Sequence, residues 1–112
     1  DCEIMPDELT FETCNKINRL EPFGAANPEP ILLIKNATIL NIRSVGKASE
    51  HLQFPIRLGD KMINAIAFRF AEHLDKINLA IPHDIVCNVE INEWNGNKKL
   101  QLKVVDLKPS SD

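Results

Sequence analysis

Two stretches of this sequence collect residues able to hold a phosphodiester strand. The first runs from Arg43 through Lys47, His51 and Gln53 to Arg57, and the second is Trp94 followed by Asn95, Lys98 and Lys99. Lysine and arginine pair with phosphate oxygens, amides hydrogen-bond to bases or sugars, and an indole or imidazole face stacks on a base. Asn41 and Ser44 add polar groups beside the first stretch, and Gly46 would let a strand approach closely. Each side chain has a plainer use. Lys98 and Lys99 could simply keep a hairpin soluble, Arg57 could pair with a carboxylate, and Trp94 could cap a core.

Signals for bond-making chemistry are thin. The three cysteines, Cys2, Cys14 and Cys87, include no Cys-x-x-Cys pair, which argues against a disulfide framework or a zinc knuckle and for reduced thiols. His51, His73 and His83 are scattered, and the acids do not gather into the convergent carboxylates that hard cations require. No glycine-rich phosphate loop or nucleophile elbow is present. The expectation is a chain with no catalytic residue and no cofactor of its own. No apolar run approaches the ~20 residues of a membrane helix, and the acidic start Asp1-Cys2-Glu3 is unlike a secretory signal. A cytoplasmic, non-membrane setting is expected, with the missing initiator methionine pointing to an excised part of a larger protein.

These side chains need elements to position them. Leu9, Thr13, Ile17 and Leu20, with Cys14 beside them, recur at helical spacing, so the first twenty residues read as a helix with Pro6 in its first turn. From Ile31 to Val45 the chain turns apolar and β-branched. His51 to Leu58 alternates, with Leu52, Phe54, Ile56 and Leu58 on one side; Met62 to Phe68 reads as a third strand after the Gly59-Asp60 turn. Phe70, Ala71, Leu74 and Ile77 return to helical spacing for about two turns. Asp84 to Trp94 alternates again, Asn95-Gly96-Asn97 turns, and Leu100, Leu102 and Val104 form the last strand.

The fold class expected is mainly β: a five-stranded Greek-key OB-fold barrel over residues 31–112, with a short helix between its third and fourth strands. An N-terminal helix and a proline- and glycine-rich connector over residues 1–30 precede it. In such a barrel the outer face around strands 2 and 3 and the loops joining strands 1–2 and 4–5 converge on one groove, which gathers the two stretches above. Pro55 removes a ladder donor from the second strand, so a bulge or an edge is expected there.

The connector "RLEPFGAANPEP", followed by an apolar strand and then by "HLQFPIRL", "INAIAF" and "INEWNGNKKLQLKVVDL", resembles the OB-fold region of RecJ, the family of bacterial single-stranded-DNA-specific exonucleases that run 5′ to 3′. The likeness extends from about Leu9 to Leu107, and the connector is its most specific part. Ala26 departs from the glycine the family pattern has there. The resemblance implies that Pro22, Phe23, Gly24, Asn27 and Pro28 form a stiff interdomain strut, with Phe23 seated on apolar surface; a plain spacer is the alternative. It also implies a parent enzyme whose catalytic core, using Mn²⁺ or Mg²⁺ held by aspartates and histidines, lies outside this chain. Pro82-His83-Asp84 is the nearest string to the family's Asp-His-His motif and does not match it.

The net charge of −3 is not that of a strong nucleic-acid binder. Its distribution matters more: residues 1–30 hold seven acids and two bases, whereas residues 31–112 hold nine acids and eleven bases, leaving the barrel mildly basic. Aromatic residues are 5% and tyrosine is absent, so the stacking platform of a dedicated single-strand binder is missing. Two readings follow. The barrel is an auxiliary single-stranded-DNA clamp, weak alone, with a log-affinity slope against log salt of about −2 to −3 for three or four phosphate contacts. Alternatively it is a scaffolding module whose grooves meet the nuclease domains or a single-strand-binding protein.

Overall fold

The computed structural model describes residues 2–18 and 31–110. The connector residues Pro22, Phe23, Gly24, Asn27 and Pro28, with Ala26, lie outside the described residues, as do Arg19 and Leu20. Seven strands are described: β1 (Cys2–Glu3), β2 (Leu32–Ile39), β3 (Arg43–Val45), β4 (His51–Leu58), β5 (Lys61–Ala67), β6 (His83–Trp94) and β7 (Asn97–Pro109). The hydrogen-bonded order β2-β6-β7-β5-β4 returns to β2 through Thr38↔Arg57 and Ile39↔Ile56, so five strands close on themselves. β5 and β7 run parallel, with Asn64 opposite Gln101, and the other barrel pairs are antiparallel. Closure removes the long unpaired edges that a sheet of this size would otherwise expose.

The alternation in β4 places Leu52, Phe54, Ile56 and Leu58 inside, where they meet Ile63, Ala65 and Ala67 of β5 and Leu102 and Val104 of β7. Side chains of this kind, fully withdrawn from water, each stabilise the fold by about 1.5–3 kcal/mol. Pro55 does not bulge its own strand: the β4–β5 register runs unbroken from Leu52↔Ala67 to Leu58↔Lys61. Its backbone faces the place where the first long strand breaks between β2 and β3, and its carbonyl accepts the Leu40 N–H at 3.0 Å. The proline therefore sits where the ladder has no bond to lose.

The N-terminal segment differs from a single helix. β1 pairs in parallel with β2, Pro6–Glu8 make one 3₁₀ turn, and the helix α1 spans Phe11–Asn18 only. Thr10 sets that start: its Oγ1 accepts the Thr13 N–H at 3.1 Å, an N-cap that a helix begun at Pro6 would bury mid-turn. Ile4, Leu9 and Cys14 join the barrel's buried cluster. The segment between β5 and β6 is a 3₁₀ helix, Ala71–Lys76, rather than two α-turns. At six residues it is too short for cooperative α-helix, and the Ala71 N–H is tied instead to the Glu50 carbonyl at 3.1 Å.

β2 carries a bulge in which Ile34 and Ala37 both point inward and Asn36 takes a φ of 59°. The Asn36 N–H donates to Asp84 Oδ1 at 3.1 Å, and Ser110 Oγ donates to the same oxygen, so one carboxylate pins β2, β6 and the chain after β7. These bonds, Ser110's foremost, hold the Asp84 carboxyl below the usual aspartate range.

Candidate nucleic-acid interface

Outward positions of adjacent strands build a polar band across the barrel. Arg43 of β3 stands opposite Gln53 of β4, Pro55 opposite Asn64 of β5, Asn64 opposite Gln101 of β7, and Gln101 opposite Glu90 of β6. Two shallow depressions run along this band. One, of about 240 Å³, is lined by Asn41, Arg43, Gln53, Phe54, Pro55 and Asn64; the other, of about 220 Å³, by Asn64, Asn92, Trp94, Asn97, Lys99, Leu100 and Gln101. Both fall below the ~300 Å³ at which enclosed small-molecule sites begin. They adjoin at Asn64, and together they form a furrow rather than a pocket.

Within the furrow, Arg43 Nη2 donates to Gln53 Oε1 at 2.9 Å, and Asn92 Nδ2 donates to Gln101 Oε1 at 2.9 Å. Trp94 ends β6 just before the Asn95-Gly96 turn, whose positive φ values of 51° and 79° are those a tight two-residue hairpin requires. Its side chain is 76% exposed, so it does not cap the core; it offers a free aromatic face beside Lys99.

The structure separates the other expected contacts. Lys98 alternates to a different depression, shared with Lys61, Met62 and Phe11, while Lys99 lines both. Arg57, exposed on β4 between Thr38 and Met62, and Lys47, exposed in the loop after β3, line neither part of the furrow. His51 is engaged locally: its Nδ1 accepts the Arg69 N–H at 2.9 Å, its Nε2 lies 3.2 Å from Glu50 Oε1, and Phe68 meets its ring edge-on at 5.0 Å. Gly46, at φ +99°, is crowded by Glu50 and His51 rather than left open to a ligand. The loop between β3 and β4 is thus braced from inside the protein.

Sequence reasoning missed Asn64, Asn92 and Gln101. Their signal was the outward parity of their strands, but parity does not say which outward side chains become neighbours. The histidines lie in three different surroundings: His51 as above, His73 beside Glu72 and Phe70, and His83 fully buried with Nδ1 at 3.2 Å from the Ile81 carbonyl. Among the described residues no three His, Cys, Asp or Glu side chains converge as a metal site would need.

A closed five-strand Greek-key barrel with a helical segment between its third and fourth strands defines an OB-fold protein, and its furrow lies on the face such proteins use for ligands. The RecJ OB domain family matches residues 1–106, and the chain belongs to it. The single-stranded-DNA-specific exonuclease RecJ of Bacillus subtilis is 33% identical over 100 residues, which are 89% of this chain and 13% of that protein. Crystal structures of RecJ from Thermus thermophilus in complex with Mn²⁺ and with Mg²⁺ align with TM-scores of 0.62 and 0.61. They are 25% and 28% identical, covering 98% and 99% of this chain and 16% of theirs. The chain therefore spans only a small fraction of the length of these relatives. Among the described residues no helix is long and apolar enough to cross a membrane.

Proposed function

We propose that this barrel is an auxiliary single-stranded-DNA-binding domain of a RecJ-like exonuclease, acting in the cytoplasm in DNA repair and recombination. It steers the strand toward a Mn²⁺- or Mg²⁺-dependent nuclease core carried elsewhere in the parent, and it contributes no catalytic residue. The observation that carries this reading is the convergence of Arg43, Gln53, Asn64, Trp94 and Lys99 on one furrow of an OB barrel. With two cations in the furrow, affinity is low and the salt slope is about −1.4, at roughly −0.7 per phosphate contact. Tethering to the core compensates, because a second hold on the same strand acts at high effective concentration. Lys47, His51, Arg57 and Lys98 are outlying contacts, reached only by a strand that runs beyond the furrow.

Fluorescence anisotropy with a labelled oligonucleotide of about 15 nucleotides tests the reading, with Trp94→Ala and Lys99→Ala as variants. Salt-sensitive binding that both variants weaken is expected; no binding at high protein concentration would refute it. A scaffolding role has one observation in its favour. Phe11, 41% exposed, and Met62, 57% exposed, line a depression with Leu9 and Leu100 that suits contact with nuclease domains or a single-strand-binding protein. That role predicts that changing Met62 to Ala, which adds no charge beside Lys99, leaves oligonucleotide binding intact and weakens association with the partner.

A further inference from the structure

A separate depression lies at the opposite end of the β6–β7 ladder from Trp94, where His83 pairs with Pro109. It holds about 260 Å³ between the 3₁₀ helix Ala71–Lys76 and the close of β7. Phe70, Ile77 and Leu107 give it an apolar wall, and the exposed side chains of Lys76, Asp106 and Lys108 line it as well. His83 belongs to the same lining although the residue is fully buried. Among the described residues its Nε2 is the one buried side-chain nitrogen or oxygen with no hydrogen-bond partner.

The Ile81 carbonyl can only accept, so the hydrogen of its 3.2 Å contact with His83 sits on Nδ1, and in the neutral ring Nε2 is then a bare acceptor. Buried polar groups are nearly always paired, and this one, in the lining of a depression, calls for a donor from outside the chain. Asp106 calls for the same: one of its oxygens accepts the Leu107 N–H at 2.9 Å, and the other has no partner among the described residues. Beside these two acceptors stand two cations. Neither Lys76 nor Lys108 is in an ion pair among the described residues, although Lys108 lies near enough to Asp84 to favour its charge. His73, also in the wall, lies against Glu72 and the Phe70 ring. A fitting ligand therefore brings hydroxyl donors, an anionic group and some C–H surface. An ammonium would donate to the same acceptors, but sinking a charge into a wall flanked by two lysines costs more than sinking a hydroxyl. A phosphate monoester carries about −1.5 to −2 charges at neutral pH, a match for the two lysines. The volume is below the ~300 Å³ of drug-sized sites and suits something smaller.

We infer that this depression binds a sugar phosphate of pentose size. One hydroxyl donates to His83 Nε2 and a second to Asp106, the phosphate meets Lys76 and Lys108, and the C–H face of the sugar packs on Phe70. Because Nε2 is shielded, the hydroxyl reaches it as a partly exposed side chain of the wall changes rotamer, a common event on binding. The same chemistry is offered by a free sugar phosphate and by the sugar-phosphate part of a nucleoside monophosphate. The site shares no residue with the furrow and does not depend on the single-stranded-DNA reading.

The test follows the three histidine Cε1–H signals of the 112-residue chain by proton NMR as ribose 5-phosphate is added. His51→Gln and His73→Gln assign the His83 signal by elimination. A saturable shift of that signal is expected, with a Kd of about 1 mM or below. Lys76→Ala and Lys108→Ala, both at exposed positions, are expected to weaken binding about 5-fold each with the urea midpoint unchanged, and ribose and inorganic phosphate to bind at least about 10-fold more weakly. A His83 signal unmoved at about 10 mM ligand, inorganic phosphate binding as tightly as the sugar phosphate, or both lysine variants binding like the parent would overturn the site. Leucine, whose ammonium donates in place of a hydroxyl, moving the signal at equal affinity would overturn the ligand class. Thymidine monophosphate binding more tightly than ribose 5-phosphate would support the site with a nucleotide as its ligand, and weaker binding would support it with a free sugar phosphate.

Discussion

The Arg43 guanidinium donates to the Gln53 side-chain carbonyl at 2.9 Å across the β3–β4 register, where the two residues are direct partners. The bond uses one of the guanidinium's five N–H donors and leaves the others at the furrow. Arg43→Ala should therefore remove a phosphate contact and release Gln53 together. Oligonucleotide affinity is expected to fall about 10-fold, whereas Lys16→Ala, on the exposed face of α1, should leave it unchanged. Anisotropy titrations of the two variants side by side check this.

Gly46 and Gly96 both have positive φ, but only one is crowded. A Cβ at Gly46 would collide with the Glu50 carboxylate and the His51 ring, whereas one at Gly96 would meet nothing. Gly46→Ala should lower stability by about 1–2 kcal/mol or more, strain and collision together. Gly96→Ala should cost the conformational part alone, about 1 kcal/mol. Urea denaturation of both variants measures the difference.

Asp84 ties β2, β6 and the residue after β7 through bonds that favour its charged form. Its folded pKa lies below the unfolded value of about 3.9. Its contribution is therefore complete above that value and is lost as pH falls through the folded pKa. Asp84→Asn should be destabilised near neutral pH by about 1 kcal/mol, with the gap to the parent closing in acid. Urea midpoints collected from neutral pH down past the aspartate range would show convergence, and a pH-independent gap would refute the assignment.

Cys14 and Cys87 are both buried, and burial, with Cys14 close by as a lesser cause, pushes the Cys87 thiol up to about 12. Burial likewise raises Cys14, partly offset by Lys61. Neither thiol should react in the folded state, because the thiolate is the nucleophile. In a Cys2→Ser background, alkylation is expected to be at least about 100-fold slower natively than in denaturant, with both sites opening only when α1 leaves the barrel or the barrel unfolds. Mass spectrometry of timed alkylation reads each site.

Much of the barrel is legible where local pattern and tertiary environment agree. The alternation from His51 to Leu58 assigns the four inward residues of β4, and Asn95-Gly96 marks the hairpin at its turn. Legibility fails where the cause is non-local. Cys2 and Glu3 are too few to show a period, and their pairing with Leu32 and Leu33 depends on a partner far along the chain. Asn36 enters a bulge because Asp84 waits for its N–H. For the furrow, residue type singles out Arg43, Gln53, Trp94 and Lys99, which the fold sets along the two adjoining depressions. The parallel β5–β7 pairing that brings Asn64 beside Gln101 appears in no window of sequence, and so their adjacency could not be read from it. Lys98 and Lys99, adjacent in sequence, share one depression, and Lys99 alone also lines the furrow.

Trp94 is the only tryptophan, and the chain has no tyrosine. Because that indole stands in water at the hairpin rather than inside the barrel, the molecule's ultraviolet emission comes from a lamp mounted on the furrow. Global unfolding would shift its colour little, since it is already wet. A strand laid against it would change its brightness directly, so occupancy can be read without a dye.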